Sequence, residues 1–324
     1  MPSSSVKINY ILRPAKSIER KMLVEAFQRL EPFGAVSAYR YIGFGSFYFS
    51  DFMLFHKRLG VTNMLSIERD VDNLERFNFN KPFNCIGIRF GESNDILPQL
   101  DWDIKSIIWL DYDNKLNQNV LTDISFICTN IIPGSMFLVS VNVHPEFPEN
   151  QPDDPRELNE YRYNKLVERV GELNVPIDIA GKDLAGWNLS DICKQIIRNK
   201  IDEAISNRNG PKLEENKINF KQLFHILYQD GARMLTFGGI FIDNSQDAIF
   251  SSCDFLRLPF VCPADDKPYI IEVPNLTFKE IRHLNSQLPL KDGETLIGDA
   301  IPDIDLTRYK EIYRYFPAFA ETEI

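Results

Sequence analysis

The clearest pattern in the chain is an alternation of short apolar runs with segments whose apolar positions recur at helical spacing. The alternation covers residues 35–143, and its five apolar runs are AVSAYRYIGF, VTNMLSIE, FNCIGIRF, IKSIIWLDYD and PGSMFLVSVNV. Each run predicts a strand, and the low polar content inside the runs is typical of parallel strands covered by helices on both faces. The pattern therefore predicts an α/β, Rossmann-like fold with a doubly wound, mostly parallel sheet.

Beyond residue 143 the alternation stops. Residues 144–158 are rich in Pro and Asp and predict an exposed connection, whereas 158–229 predict mainly helices. ARMLTFGGIFID, at 232–243, returns to strand character, and FLRLPFV and YIIEVP predict two further strands. The sixth strand would thus follow a helical insert placed between strands 5 and 6.

This order suggests one domain over 1–324. Residues 1–143 would form a cofactor-binding half, 144–230 the helical insert, and 231–324 the rest of the sheet with a C-terminal segment. Two independent domains divided near residue 150 are the alternative.

Composition narrows the classes of function. The net charge of −10 disfavours a nucleic acid as partner. Five cysteines without a CxxC pair predict a reducing, cytoplasmic setting and no metal site. The N-terminal stretch MPSSSVKINY lacks the apolar run of a signal peptide, and no apolar run is long enough to span a membrane.

Candidate chemistry begins at the first strand's end, in YRYIGFGSFYFSDF. Gly43 and Gly45 would permit a tight turn and close approach of a ligand, before a helix that starts near Phe47. The dinucleotide fingerprint GxGxxG fails because its last position is Tyr48. A looser GxGxG turn fits two of its three glycines, and a purely structural turn is the alternative.

The ends of the second and third strands add polar groups. Glu68, in SIERD, could accept hydrogen bonds from two ribose hydroxyls, or it could form a solvated corner with Arg69 and Asp70. In RFGESNDILP, Gly91 permits close approach, and the residues after it could contact an adenine. The alternative for that segment is an ordinary helix N-cap at Ser93 or Asn94.

The fourth strand ends in IIWLDYD, where Asp111 and Asp113 would face a cleft because burial of an unpaired charge is costly. One could orient an amino group or act as a general base, while Asp113 could instead cap the next turn. His144, after the fifth strand, is a weaker candidate base, and His225 is expected on an apolar helix in the core. Arg13 could reach a ligand carboxylate, or it could lie on a solvated basic helix face.

Four motifs, YIGFGS, LSIERD, RFGESNDILP and IWLDYD, resemble those of class I S-adenosylmethionine-dependent methyltransferases over residues 10–143. LRPAKSIERKM and PNLTFKEIRHLNSQLP resemble uncharacterised bacterial O-methyltransferase-like proteins. The resemblance implies a seven-stranded sheet whose last strand is antiparallel, with S-adenosylmethionine as cofactor. It implies contacts to the methyl donor from Gly43 and Gly45, to its ribose from Glu68 and near its adenine from Glu92 and Ser93, and it places the WLDYD segment, with Asp111, beside the methionine part. Further candidate donor-binding residues are Arg13, Ser46, Arg69 and Gly91.

Three functions follow as hypotheses. The first is methylation of an oxygen atom on a small-molecule or protein acceptor, with Asp111, Asp113 and His144 as candidate catalytic residues. The second is a methyltransferase-like binding module without turnover. The third, a nicotinamide-dependent oxidoreductase, is disfavoured by Tyr48. Neither DPPY nor NPPY occurs, which argues further against a nucleic-acid acceptor, and a homodimer is left open.

Overall fold

The computed structural model describes residues 13–317 except 151, 153 and 265, so the N-terminal stretch MPSSSVKINY and the last residues of the tail lie outside the described residues. The described chain forms one sheet with the strand order β3-β2-β1-β4-β5-β7-β6-β8. Its strands are β1 (Arg40–Gly43), β2 (Asn63–Glu68), β3 (Ile86–Phe90), β4 (Ser106–Lys115), β5 (Ser135–Asn142), β6 (Ile218–Asp230), β7 (Ala232–Asp243) and β8 (Tyr269–Ile271).

Strands β1 to β5 are all parallel, β7 is antiparallel to both β5 and β6, and β8 is parallel to β6. The prediction of an α/β, Rossmann-like fold is confirmed. The predicted number of seven strands is wrong, because the short strand β8 extends the edge of the sheet beyond β6 and gives eight.

Helices cover both faces of the sheet. They are α1 (Pro14–Gln28), α2 (Ser50–Leu59), α3 (Leu74–Asn80), α4 (Ser93–Ile96), α5 (Gln118–Asn130), α6 (Pro155–Val170), α7 (Asn188–Asn209), α8 (Asp247–Ser252), α9 (Phe278–Asn285) and α10 (Asp303–Ile312). Neighbouring residues of β4 belong to different cores: Trp109 packs with α1 and α2, and Ile108 packs with α5 and α7. This alternation follows from the period of two in a strand. No helix among the described residues is long and apolar enough to cross a membrane.

Two predictions in the second half of the chain are wrong. The segment 218–229 was expected to be helical, yet it forms β6, which pairs with β7 in a hairpin around Gly231. Both faces of β6 are buried, so its apolar residues do not alternate and the periodic signal of a strand is lost. The helical part between β5 and β6 therefore ends at Asn209. FLRLPFV was expected to be a strand, but it starts with a 3-10 turn at Phe255–Arg257.

Strand β6 also places His225 in the core, where it is 1% exposed. Neither ring nitrogen has a hydrogen-bond partner among the described residues, and burial, with Lys194 nearby, lowers the pKa of His225 to about 4. The Asp191 carboxylate lies 4.0 Å from Nε2. As the pH falls, His225 of the unfolded chain is therefore protonated near pH 6.5, whereas His225 of the folded protein stays neutral down to about pH 4.

We expect wild-type protein to lose up to about 2 kcal/mol of unfolding free energy from this residue between pH 7 and pH 5. A His225→Leu variant should not show that loss, because leucine has no proton to take up. Denaturant titrations at both pH values measure the difference, with His283→Leu, at an exposed histidine, as control. Equal pH dependence in His225→Leu and wild type would contradict the prediction.

Candidate active site

A cavity of about 150 Å³ opens at the carboxyl ends of β1 to β4. Most of the residues predicted from the strand ends line it: Gly45, Ser46, Glu68, Arg69, Gly91, Glu92, Ser93, Asp111 and Asp113. Three predicted residues do not line it: Arg13, Gly43 and His144. The parallel strands thus bring four separate motifs to one place, as expected for the ligand crevice of a doubly wound sheet.

The turn after β1 is fixed by the end of β2. The Gly45 N–H donates to Ser66 Oγ and to Glu68 Oε1, each at 2.8 Å, and the Ser66 hydroxyl donates to Glu68 Oε1 at 2.6 Å. Burial raises the pKa of Glu68 to about 7, although the bonds from Ser66, Gly45 and Ser46 oppose that rise. A carboxylate has about four acceptor positions, so Glu68 retains capacity for a ligand.

Helix α2 starts at Ser50, three residues later than the predicted start at Phe47. The difference arises because Ser46 (φ 51°) and Phe49 (φ 45°) adopt the left-handed region, and the Phe49 N–H donates to the Gly45 carbonyl at 2.8 Å. A Cβ at Gly45 would lie 2.5 Å from Phe49 Cδ1 and 2.7 Å from Ser66 Oγ. The turn therefore requires glycine at this position.

Asp51, in the first turn of α2, also lines the cavity, and its carboxylate accepts a hydrogen bond from the Tyr41 hydroxyl. Burial raises the pKa of Asp51, opposed by Arg20 and by Tyr41. The beginning of α2 thus presents a carboxyl group of the chain itself. A ligand phosphate in this position would meet that group as well as the helix N–H groups.

The end of β3 is tied to α5. The Ser93 hydroxyl, the Asn94 amide and the Tyr112 hydroxyl all donate to the Asp123 carboxylate. Glu92 occupies the N-cap position of α4, and its side chain makes no capping hydrogen bond. The alternative prediction of an N-cap at Ser93 or Asn94 is therefore wrong. Both Glu92 and Ser93 line the cavity, but the Ser93 hydroxyl already donates its hydrogen bond inside the protein.

Asp111, at the end of β4, is paired with a buried lysine. Lys16 Nζ lies 2.8 Å from Asp111 Oδ1 and 2.8 Å from Glu19 Oε2, donates to Tyr228 Oη at 3.1 Å, and lies 4.1 Å from the centre of a Trp109 ring. The side chains of Lys16 and Glu19 are completely buried. Asp111 is 17% exposed and lines the cavity.

The charges around Asp111 keep it ionised. Burial alone would raise the pKa of Asp111, but the Lys16 ammonium, with further help from Arg13 and Arg20, holds that pKa below its usual value. An acid with a lowered pKa is a weak general base at neutral pH. Asp111 is therefore better suited to binding a cation than to removing a proton.

The sequence matches a family model described as "Putative O-methyltransferase" over residues 8–324. The chain belongs to this O-methyltransferase family. The resemblance to methyltransferases expected from the four strand-end motifs is thereby confirmed. No match was found among curated protein sequences.

Several solved structures with bound SAM are similar to this chain at low identity. LepI in complex with SAM has 8% identity and a TM-score of 0.37, covering 66% of this chain and 46% of that chain. The O-methyltransferase TomG from Streptomyces achromogenes, in complex with SAM, has 14% identity and a TM-score of 0.36, and the match covers 68% of this chain and 79% of TomG. Human N-acetylserotonin methyltransferase in complex with SAM has 11% identity and a TM-score of 0.34, and the match covers 68% of this chain and 51% of the human chain. The chain thus spans less than half of the LepI structure.

Two residues lie apart from their predicted positions. Arg13 Nη1 is 3.8 Å from Asp113 Oδ1, but the guanidinium that α1 brings to the cavity is that of Arg20, which is 8% exposed. His144 lies beyond β5, where its carbonyl accepts a hydrogen bond from Lys115. The cavity-lining arginine therefore lies two helical turns after Arg13, because α1 starts at Pro14 and runs across the sheet.

Sequence reasoning missed Glu19, Arg20, Asp51 and Tyr228 in and around the cavity. A signal for the first two was present in KSIER, whose charged residues occupy the same helix as the buried Ile18, Met22 and Leu23. Charged residues on the buried side of an amphipathic helix indicate ion pairs inside the fold. No comparable signal marks Tyr228, since it lies within an apolar strand.

Proposed function

We propose that the chain transfers the methyl group of S-adenosylmethionine to an oxygen atom of a small-molecule or protein acceptor. The observation that carries this proposal is the placement of two carboxyl groups on either side of the Gly45 turn. Gly43 pairs with Ser66 on β2 and with Trp109 on β4, so Glu68 and Asp111 each lie two residues further along strands that flank β1. Two strand spacings separate them by about 10 Å, enough for an extended nucleoside between them.

The residues present fit the parts of this donor. Glu68 suits the ribose hydroxyls because a buried carboxylate accepts two hydrogen bonds from a diol. Asp111 suits an ammonium group, and Arg20, which lines the same cavity, suits a carboxylate. Ile67 and Phe77 give the cavity an apolar surface beside Glu92, where an adenine would bind. When bound, S-adenosylmethionine supplies an electrophilic methyl group.

The charge of the cavity also supports a cationic donor. Among the described residues that line it are six carboxyl groups, at Asp51, Glu68, Asp70, Glu92, Asp111 and Asp113, and two guanidinium groups, at Arg20 and Arg69. A sulfonium ion is favoured in such surroundings. A dinucleotide would instead bring a pyrophosphate to the start of α2, where Asp51 lies. This position, together with Tyr48 in the glycine window, disfavours the nicotinamide alternative.

Proton removal from the acceptor is assigned to Asp113 in this proposal. Its side chain is 25% exposed, at the open side of the cavity, and it lies near Arg13. Asp111 would bind the donor instead. Burial raises the pKa of Asp111, but its cationic partners lower that pKa by more, so the group stays ionised. His144 does not line the cavity and is the least favoured of the three predicted catalytic residues. A bacterial origin, a cytoplasmic location and a homodimer stay predictions.

Calorimetry with S-adenosylmethionine, S-adenosylhomocysteine and NAD tests the proposal. We expect both sulfur ligands to bind and NAD not to bind. Failure of both sulfur ligands to bind, or tight binding of NAD, would refute the proposed donor. Transfer of label from methyl-labelled S-adenosylmethionine to a panel of phenols, catechols, carboxylic acids and proteins then distinguishes an enzyme from a binding module, since a binding module would hold the donor without producing S-adenosylhomocysteine.

A further inference from the structure

Helix α1 is attached to the sheet by contacts that do not require the buried ammonium of Lys16. The backbone N–H groups of Ala15 and Lys16 donate to the Asp230 carboxylate at 3.2 and 2.9 Å, and this fixes the beginning of the helix. Ile18 and Met22, both fully buried, provide apolar contact along the same helix. Burial of an ammonium is costly unless it is well paired, so the side chain of Lys16 calls for a separate explanation.

The partners of Lys16 hold it in one place. Glu19 and Tyr228 bind its Nζ, and the face of Trp109 lies under it. Of these partners Trp109 and Asp111 line the cavity, and Asp111 is the one that carries a charge. Lys16 itself is 0% exposed and cannot touch a ligand. An effect of Lys16 on a polar ligand group in the cavity is therefore expected to act through Asp111.

We propose that Lys16 is a positioning residue that fixes one oxygen of Asp111, so that this carboxylate receives the primary ammonium of an α-amino acid at the β4 side of the cavity. The inference rests on the proposed function, since the amino acid would be the methionine-derived half of the donor. Lys16 binds Oδ1 from inside the protein, and the partly exposed carboxylate faces the cavity. Arg20, one helical turn after Lys16, lines the same cavity and suits the carboxylate of the same amino acid.

Two ligands distinguish a role of Lys16 in binding the amino-acid half from a role in ligand binding as a whole. S-adenosylhomocysteine carries the amino-acid half, and 5′-methylthioadenosine carries the same nucleoside and sulfur without it. In Lys16→Met, we expect affinity for S-adenosylhomocysteine to fall by about 10- to 100-fold, the range for charge-assisted hydrogen bonds, because Asp111 loses its fixed orientation. Affinity for methylthioadenosine should stay within about twofold.

Lys21→Met is the matched control on the same helix. Lys21 Nζ donates to the carbonyls of Tyr315 and Phe316 and does not line the cavity. This variant should bind both ligands as wild type does. Thermal unfolding of each variant shows whether the fold is retained.

The pH dependence gives a second readout. Charged or titratable groups surround Asp111 from four elements. They are Lys16, Glu19 and Arg20 from α1 with Arg13 just before it, Tyr41 from β1, Asp51 from α2 and Tyr228 from β6. Removal of the ammonium leaves burial to raise the pKa of Asp111, so its carboxylate would be lost as the pH falls. The ratio of the two ligands' affinities should be flat from pH 8 to pH 5 in wild type and should decline with falling pH in Lys16→Met. Titration of Glu68 affects both ligands and cancels in this ratio.

Tyr228→Phe keeps the inference testable if Lys16→Met does not fold. It removes one hydroxyl that fixes Lys16, and we expect the affinity for S-adenosylhomocysteine alone to fall by about 2- to 10-fold.

Equal losses of affinity for both ligands in the folded variants, or no loss for either ligand, would overturn the positioning role. If wild type binds methylthioadenosine but prefers it to S-adenosylhomocysteine, the amino-acid site is refuted while the nucleoside site stands. If wild type binds neither, the proposed function itself fails.

Discussion

A Glu68→Gln variant should bind S-adenosylhomocysteine and methylthioadenosine about 10- to 100-fold more weakly than wild type. Both ligands carry a ribose, and a glutamine can offer one acceptor oxygen where the carboxylate offers two. That single oxygen is also required by the Gly45 N–H and the Ser66 hydroxyl, which both donate to Glu68 Oε1. The loss should therefore be the same for both ligands, in contrast to the selective loss expected from Lys16→Met.

The pH dependence of ligand binding should also reflect the protonation of Glu68. Since burial raises the pKa of Glu68 to about 7, the group is protonated in the free protein below that pH. The ribose requires the carboxylate form, so affinity should rise by up to about tenfold per pH unit below pH 7 and level off above it. Calorimetry from pH 5.5 to pH 8.5 measures this, and Glu68→Gln should bind with little dependence on pH in that window.

Glu75→Gln is the control for this comparison. Glu75 is exposed on α3 and does not line the cavity, so the same chemical change there should leave affinity unaltered. Wild-type affinity that stays constant across pH 7, together with an unaffected Glu68→Gln variant, would show that Glu68 does not contact the ribose.

A Gly45→Ala substitution should combine loss of stability with loss of binding. Its new Cβ would lie 2.5 Å from Phe49 Cδ1 and 2.7 Å from Ser66 Oγ, closer than a Cβ atom approaches non-bonded atoms in proteins. The turn must shift, and the cost of such overpacking is typically about 1–3 kcal/mol. Because the Gly45 N–H holds Ser66 and Glu68, the shift also displaces the carboxyl group that we propose as the ribose ligand, and we expect at least about tenfold weaker binding of S-adenosylhomocysteine.

Gly210→Ala provides a matched control. A Cβ at Gly210 would have only the Asn207 carbonyl within 4 Å, at 3.6 Å, which is an ordinary contact. Its backbone is in the right-handed helical region, so alanine should be tolerated with wild-type stability and affinity. Denaturant unfolding and calorimetry on both variants decide the matter. A Gly45→Ala protein as stable as the control would mean that the turn has room that the structure does not show.

The strand ends of the first half could be predicted from the sequence because the signal for each one lies within a few consecutive residues. A parallel strand buried on both faces gives a short apolar run, and the polar residue after it falls at one edge of the sheet. Glu68, Glu92 and Asp111 were found in this way, and each lines the cavity. The glycine window alone did not decide the function, because Gly45 is required by packing against Phe49 as well as by the site.

The groups that complete the site come from long-range contacts, which a local pattern does not record. Lys16 and Arg20 belong to a helix that precedes the first strand, and nothing in KSIER indicates which strand they reach. Tyr228 lies on β6, whose continuous apolar character resembles a buried helix. The β6–β7 hairpin was missed for the same reason, and with it the anchoring of α1 by Asp230.

The anchoring of α1 has a consequence for the order in which the molecule can be assembled during synthesis. Lys16 is separated by 212 positions from Tyr228 and by 214 from Asp230, both of which lie at the end of β6. A nascent chain that has emerged only as far as β5 already carries the four strand ends, but it lacks the residues that fix α1 over them. Domains fold as their segments become available from the N-terminus, so ligand binding would be among the last properties the growing chain acquires.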